Sequence, residues 1–98
     1  MIATKQQYML LLQKFFADHG AEYGIVRMGI FGSVARGEQR EGSDVDVLVE
    51  APVLSLLSLI SIKRHLEEIF GTPVDVVRKT DYLPQRFKDR IEKETVYA

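Results

Sequence analysis

The stretch Ile30–Glu50, IFGSVARGEQREGSDVDVLVE, decides the fold of this chain. It reads as the apolar end of one strand, a Gly-Ser turn with an arginine close behind, a polar loop, and a second strand opening on two aspartates one residue apart. Strand side chains alternate faces with a period of two, so Asp44 and Asp46 project from the same side. Val45, Val47 and Val49 then give the strand a β-branched core face opposite Asp44, Asp46 and Leu48. Two carboxylates about 4 Å apart repel by roughly 4 kcal/mol at an effective dielectric near 20. An exposed ion pair with arginine returns only about 0–1 kcal/mol. A divalent metal balances the pair better, and oxygen-only ligands point to Mg2+ or Mn2+.

Working outward, Ile25–Phe31 is mostly apolar and flanked by Gly24 and Gly32, which predicts a buried strand before the turn. Residues 33–37 allow at most a turn of helix, Glu38–Gly42 is a charged loop, and Pro52 ends the second strand. Upstream, Tyr8, Leu11, Leu12, Phe15 and Phe16 lie at helical spacing, predicting a helix over 4–19 with Gly20 as its stop. Downstream, a helix starts at Ser55 or Ser58 and runs to Phe70, with Leu56, Leu59, Ile62, Leu66, Ile69 and Phe70 near one face and Gly71 as its stop. Pro73–Val77 is a short third strand. Tyr82–Ala98 reads as a turn and then a helix with Pro84 at its first position, Phe87 and Ile91 inward, and Arg86, Lys88, Arg90 and Lys93 in water.

This order predicts an α/β (α+β) fold: a small mixed β-sheet of three or more strands with helices packed on one face. The short link between the first two strands suggests an antiparallel pair, and the helical crossover to the third a parallel one.

The 98 residues are expected to make one domain. Net charge is −1, without the basic excess of a protein that holds a long nucleic-acid template. No cysteine is present, so disulfides, zinc thiolates and thiol catalysis are excluded and metal chemistry falls to carboxylates. No stretch approaches the roughly 18 to 20 apolar residues of a membrane span. The N-terminal run lacks a small-residue cleavage pattern, and a cytoplasmic location is the expectation. His19 and His65 read as surface histidines.

Gly32-Ser33 lets backbone approach a ligand closely, and amides opening a short helix suit phosphate. Ser33 adds a hydroxyl, Arg36 lies one helical turn on, where a guanidinium can reach a phosphate oxygen, and Gly37 turns the chain away. Asp75, a lone acid among valines, is the natural third metal ligand beside Asp44 and Asp46. Ser43 can orient Asp44 or its loop. Each feature alone also has a plain structural reading. Asp44 and Asp46 can be solvated, Asp75 can pair with Arg78 or Lys79, and Arg36, Arg40 and Glu41 can be a charged hairpin tip. The coincidence of Gly32, Ser33, Arg36, Gly37, Ser43, Asp44 and Asp46 at set spacing is what favours chemistry.

The arrangement Gly32-Ser33-Val34-Ala35-Arg36-Gly37, then Ser43-Asp44-Val45-Asp46, then Val74-Asp75-Val76-Val77, closing on Leu83-Pro84, Ile91 and Glu94, resembles the nucleotidyltransferase superfamily typified by DNA polymerase beta. It looks most like the minimal nucleotidyltransferases, the MNT-type antitoxins encoded beside HEPN-domain toxins. The resemblance implies a two-metal transfer of AMP from ATP, with Mg2+ (Mn2+ as alternative), to a tyrosine hydroxyl of a HEPN partner toxin. It assigns Gly32 and Ser33 to the triphosphate, Arg36 and Ser43 to the nucleotide site, and Asp44, Asp46 and Asp75 to metal and catalysis. Val34 departs from relatives that carry a basic or aromatic residue there. Without a second domain to hold an acceptor, a protein partner is expected to present the hydroxyl, and Tyr23, Tyr82 and Tyr97 are candidate contacts. Two alternatives are an antitoxin that only occludes its partner, and transfer to a small-molecule hydroxyl.

Overall fold

The computed structural model describes residues 3–98. Its elements run α1 (Lys5–Tyr23), β1 (Arg27–Phe31), α2 (Gly32–Ala35), β2 (Val45–Glu50), α3 (Leu56–Phe70), β3 (Val74–Arg78), α4 (Gln85–Glu94) and β4 (Val96–Tyr97). The strands form one mixed sheet in the order β3-β2-β1-β4. β1 and β2 are antiparallel, with Phe31 opposite Asp46. β2 and β3 are parallel, with Asp46 opposite Asp75, as the hairpin and helical crossover predict.

The valine face of β2 is the core face. Val45, Val47 and Val49 are buried with Leu12 and Phe15 of α1 and with Ile62 and Leu66 of α3. The two long helices therefore cover one side together. α4 lies on the other side, where Ile91 closes a second cluster with Phe31 and Leu48. Helical cover on one face thus holds for α1 and α3, and α4 is the exception. It follows the alternation of β2, which puts Leu48 on the aspartate face and requires an apolar partner there.

The main departures from the sequence reading lie at the C-terminal ends of α1 and α4. α1 runs through Gly20 and ends at Gly24, which takes the left-handed C-cap at φ 66°. Gly20 serves packing instead, since a Cβ there would come within 2.5 Å of Phe16 Cδ1. Thr4 starts the helix by a reciprocal capping box with Gln7. At the other end, α4 stops at Glu94, and the expected helix through Ala98 is replaced by β4, whose Val96 and Tyr97 pair with Ile30 and Gly29. The β-branched and aromatic run Thr95-Val96-Tyr97 favours extension. Gly29 makes room for it, because a Cβ there would sit 2.6 Å from the Val96 carbonyl oxygen. Arg27 secures this edge, with its guanidinium 3.9 Å above the Tyr97 ring. In α3, Ser55 is the N-cap, and Ile62, Leu66 and Phe70 are buried while Leu56 stays 73% exposed. That first turn overhangs the sheet.

His19 and His65 also depart from a simple surface assignment. Their rings lie 4.6 Å apart between α1 and α3, and His65 meets Phe15 edge-on at 5.1 Å. Of the three tyrosines, Tyr82 is 96% exposed. Tyr23 is half-buried with its hydroxyl 2.8 Å from Ser61 Oγ, and Tyr97 is half-buried beneath Arg27. No helix among the described residues is long and apolar enough to cross a membrane.

Candidate active site

The period of β2 and the register of its neighbours bring the acidic residues together. Asp46 faces away from the valine core, half-buried, and its partner in the parallel ladder is Asp75 on β3. Asp44 stands one residue before β2, exposed at the end of the loop. Burial pushes the Asp46 carboxyl up from its ordinary range, and the charges of Asp75, Asp44 and Glu94 push the same way, against Arg90. Asp46 and Asp75 therefore share one face of the sheet, and Asp44 lies near enough at the loop end for its charge to act on Asp46. A pairing of Asp75 with Arg78 does not arise, because Arg78 turns away and donates to the carbonyls of Ala51 and Pro52 at 3.0 and 2.9 Å.

Gly32 follows the β1 residue that opposes Asp46, and its backbone lies directly against that carboxylate. Its φ is 74°, and a Cβ would fall within the Asp46 carboxyl group, so glycine is required twice over. Ser33, half-buried, opens the single turn of α2, and its carbonyl accepts from the Glu38 amide at 2.8 Å, returning the chain to the loop. Ser43 closes that loop. Its hydroxyl accepts from the Arg40 amide at 3.0 Å, and its carbonyl accepts from Thr72 Oγ1 at 3.4 Å. Ser43 thus shapes the approach to Asp44 through the backbone.

Arg36 is committed differently from the sequence reading. Its Nε donates to Glu38 at 2.6 Å and its Nη1 to Glu94 Oε2 at 2.9 Å, and these two carboxylates hold its proton more firmly than usual. Glu94 is the residue whose role the sequence reading missed. Its Oε1 accepts from the Gly32 amide at 3.0 Å and from Arg90 Nε at 3.2 Å. Burial alone would raise its carboxyl, but hydrogen bonds from Arg36, Gly32 and Arg90 prevail and hold it below the ordinary range. The signal available was the closing Ile91 and Glu94 of the motif, with Arg90 and Glu94 spaced for one helix face.

The donor set of Asp44, Asp46 and Asp75 is all carboxylate oxygen, which suits a hard divalent cation. Among the described residues, no three or more His, Cys, Asp or Glu side chains stand close enough together to hold a metal ion. Asp44 and Asp75 are exposed, and Asp46 is half-buried.

Comparison with known proteins identifies the family and its fold. Residues 12–98 match the nucleotidyltransferase domain family. A protein of Methanocaldococcus jannaschii, named as a candidate protein adenylyltransferase, is 47% identical over 76 residues, spanning 76% of this chain and 81% of its own. A solved structure described as a candidate minimal nucleotidyltransferase superposes with TM-score 0.71 at 35% identity, covering 93% of this chain and 88% of that one. A complex of tri-AMPylated Shewanella oneidensis HEPN toxin with MNT antitoxin contributes a chain with TM-score 0.69 at 16% identity, covering 96% and 71%, a likeness of fold alone. With its Gly-Ser turn lying against an aspartate shared by two strands, this chain belongs to the nucleotidyltransferase domain family.

Proposed function

We propose that this chain transfers AMP from ATP to a tyrosine hydroxyl of a HEPN-domain partner in the cytoplasm, and so silences that partner as its antitoxin. The observation that carries the reading is the register of Asp46 with Asp75, with Asp44 just upstream and Gly32 packed on Asp46. The names of the relatives support adenylyl transfer as the form of the chemistry.

Asp44, Asp46 and Asp75 would hold Mg2+, two ions in this class of reaction, or Mn2+. The chemistry a metal would supply there is Lewis-acid polarisation of phosphate and charge compensation for the triphosphate. The triphosphate would lie on the Gly32-Ser33 turn facing the aspartates, with the Ser33 hydroxyl as a donor to phosphate oxygen, the Gly32 amide being given to Glu94. The loop closed by Ser43 frames the nucleotide from the Asp44 side. The tyrosine oxygen attacks the α-phosphorus, the α–β phosphoanhydride breaks, pyrophosphate leaves, and the tyrosine proton passes to solvent water.

Mass spectrometry of a HEPN partner incubated with this chain, ATP and Mg2+ tests the reading. The expected result is a partner whose mass rises by whole AMP units placed on a tyrosine. A partner that binds tightly and stays unmodified would replace this reading by occlusion.

A further inference from the structure

Glu94 ties together three parts of the site that the motif itself leaves unconnected. The last turn of α4 is anchored by Ile91, which is fully buried against Phe31 and Leu48. From that anchor Glu94 reaches the Gly32 amide and Arg36, and Arg90 one turn earlier braces its Oε1. The Glu94 side chain is 14% exposed, while its partners Arg36 and Arg90 remain 41% and 54% exposed. Charge-assisted bonds of this kind are shorter and stronger than neutral ones.

Gly32 is where such a brace matters. It is the junction of β1 and α2, sits at positive φ, and has the backbone freedom of glycine, so an unbraced turn would sample several orientations. We propose that Glu94 is a positioning residue for the nucleotide: clamped by Arg36 and Arg90, its carboxylate fixes the Gly32 amide and thereby sets the Gly-Ser turn against Asp46. The inference rests on the nucleotide reading above and extends it to α4. It also reassigns Arg36, which acts through Glu94.

Calorimetric titration with ATP and Mg2+ tests this without any acceptor, using the full chain at a temperature where circular dichroism shows each variant folded. Glu94→Ala is expected to weaken binding by about tenfold or more, the scale of a lost charge-assisted hydrogen bond. Glu94→Gln should recover most of that affinity, because its amide oxygen still accepts from Gly32. Arg90→Ala should weaken binding about two- to fivefold, as expected for one exposed ion pair, and it carries the test if Glu94→Ala does not fold. Arg36→Ala should add little on top of Glu94→Ala, since both act on one contact.

Unchanged affinity in folded Glu94→Ala, or in Arg90→Ala where Glu94→Ala is unfolded, overturns the proposal. Tighter binding in Glu94→Ala overturns it too, by making the carboxylate a competitor of phosphate. A wild-type chain that binds no Mg-ATP overturns the nucleotide reading itself, and this inference with it.

Discussion

Two glycines of the same motif separate steric need from conformational preference. Gly32 at φ 74° has the Asp46 carboxyl group where a Cβ would be, whereas Gly37 at φ 71° has nothing within 4 Å. Gly32→Ala should therefore lose about 1–3 kcal/mol of stability in urea unfolding, with transfer activity lost as well. Gly37→Ala should cost only about 1–2 kcal/mol, the left-handed penalty of an L-residue, and keep its activity. The acid limb of stability reports on Glu94. Its folded carboxyl is held low, so its contribution is fully present above the ordinary carboxylate range and fades as pH falls through the lowered folded value. Unfolding followed against pH should show that limb flattened in Glu94→Gln. The aspartates were legible at this scale because a period of two leaves little choice of face. The bond from Gly32 to Glu94 was not, because it spans 62 residues and depends on where α4 docks.

At the scale of elements, cover and overhang divide α3. Leu66 is fully buried between α1 and the sheet, while Leu56 projects from the first turn. Leu66→Ala should cost about 2–5 kcal/mol of unfolding free energy, and Leu56→Ala should stay within about 0.5 kcal/mol. Helical spacing placed both on one stripe, since periodicity fixes direction around the axis and says nothing about how far the sheet extends beneath it. The same gap explains α1. Gly20 looks like the stop in sequence, yet the helix runs on to the left-handed Gly24, and Gly20 instead leaves room for the Phe16 ring. β4 was hidden for a related reason. Its two residues extend because Gly29 leaves an edge for them, and that is a property of a distant strand.

For the molecule as a whole, the alternation of β2 divides the labour. Its valines are buried under α1 and α3, and its other face carries Asp46 beside Leu48, with α4 sealing the leucine and leaving the aspartates accessible. The directions of β1, β2 and β3 and this face were readable from Ile30–Glu50 and the crossover through α3. The docking of α4 was not, because Phe87 and Ile91 announce an inward side without saying which surface receives it. The central claim is that Asp44, Asp46 and Asp75 serve adenylyl transfer from a nucleotide held at the Gly-Ser turn. Parallel incubations of a HEPN partner with ATP labelled at the α- or the γ-phosphate, with Mg2+, test it most directly. The account predicts label on the partner from α-labelled ATP only, and none in Asp46→Asn although that variant folds. Label from the γ-position, or equal α-label with Asp46→Asn, would contradict it.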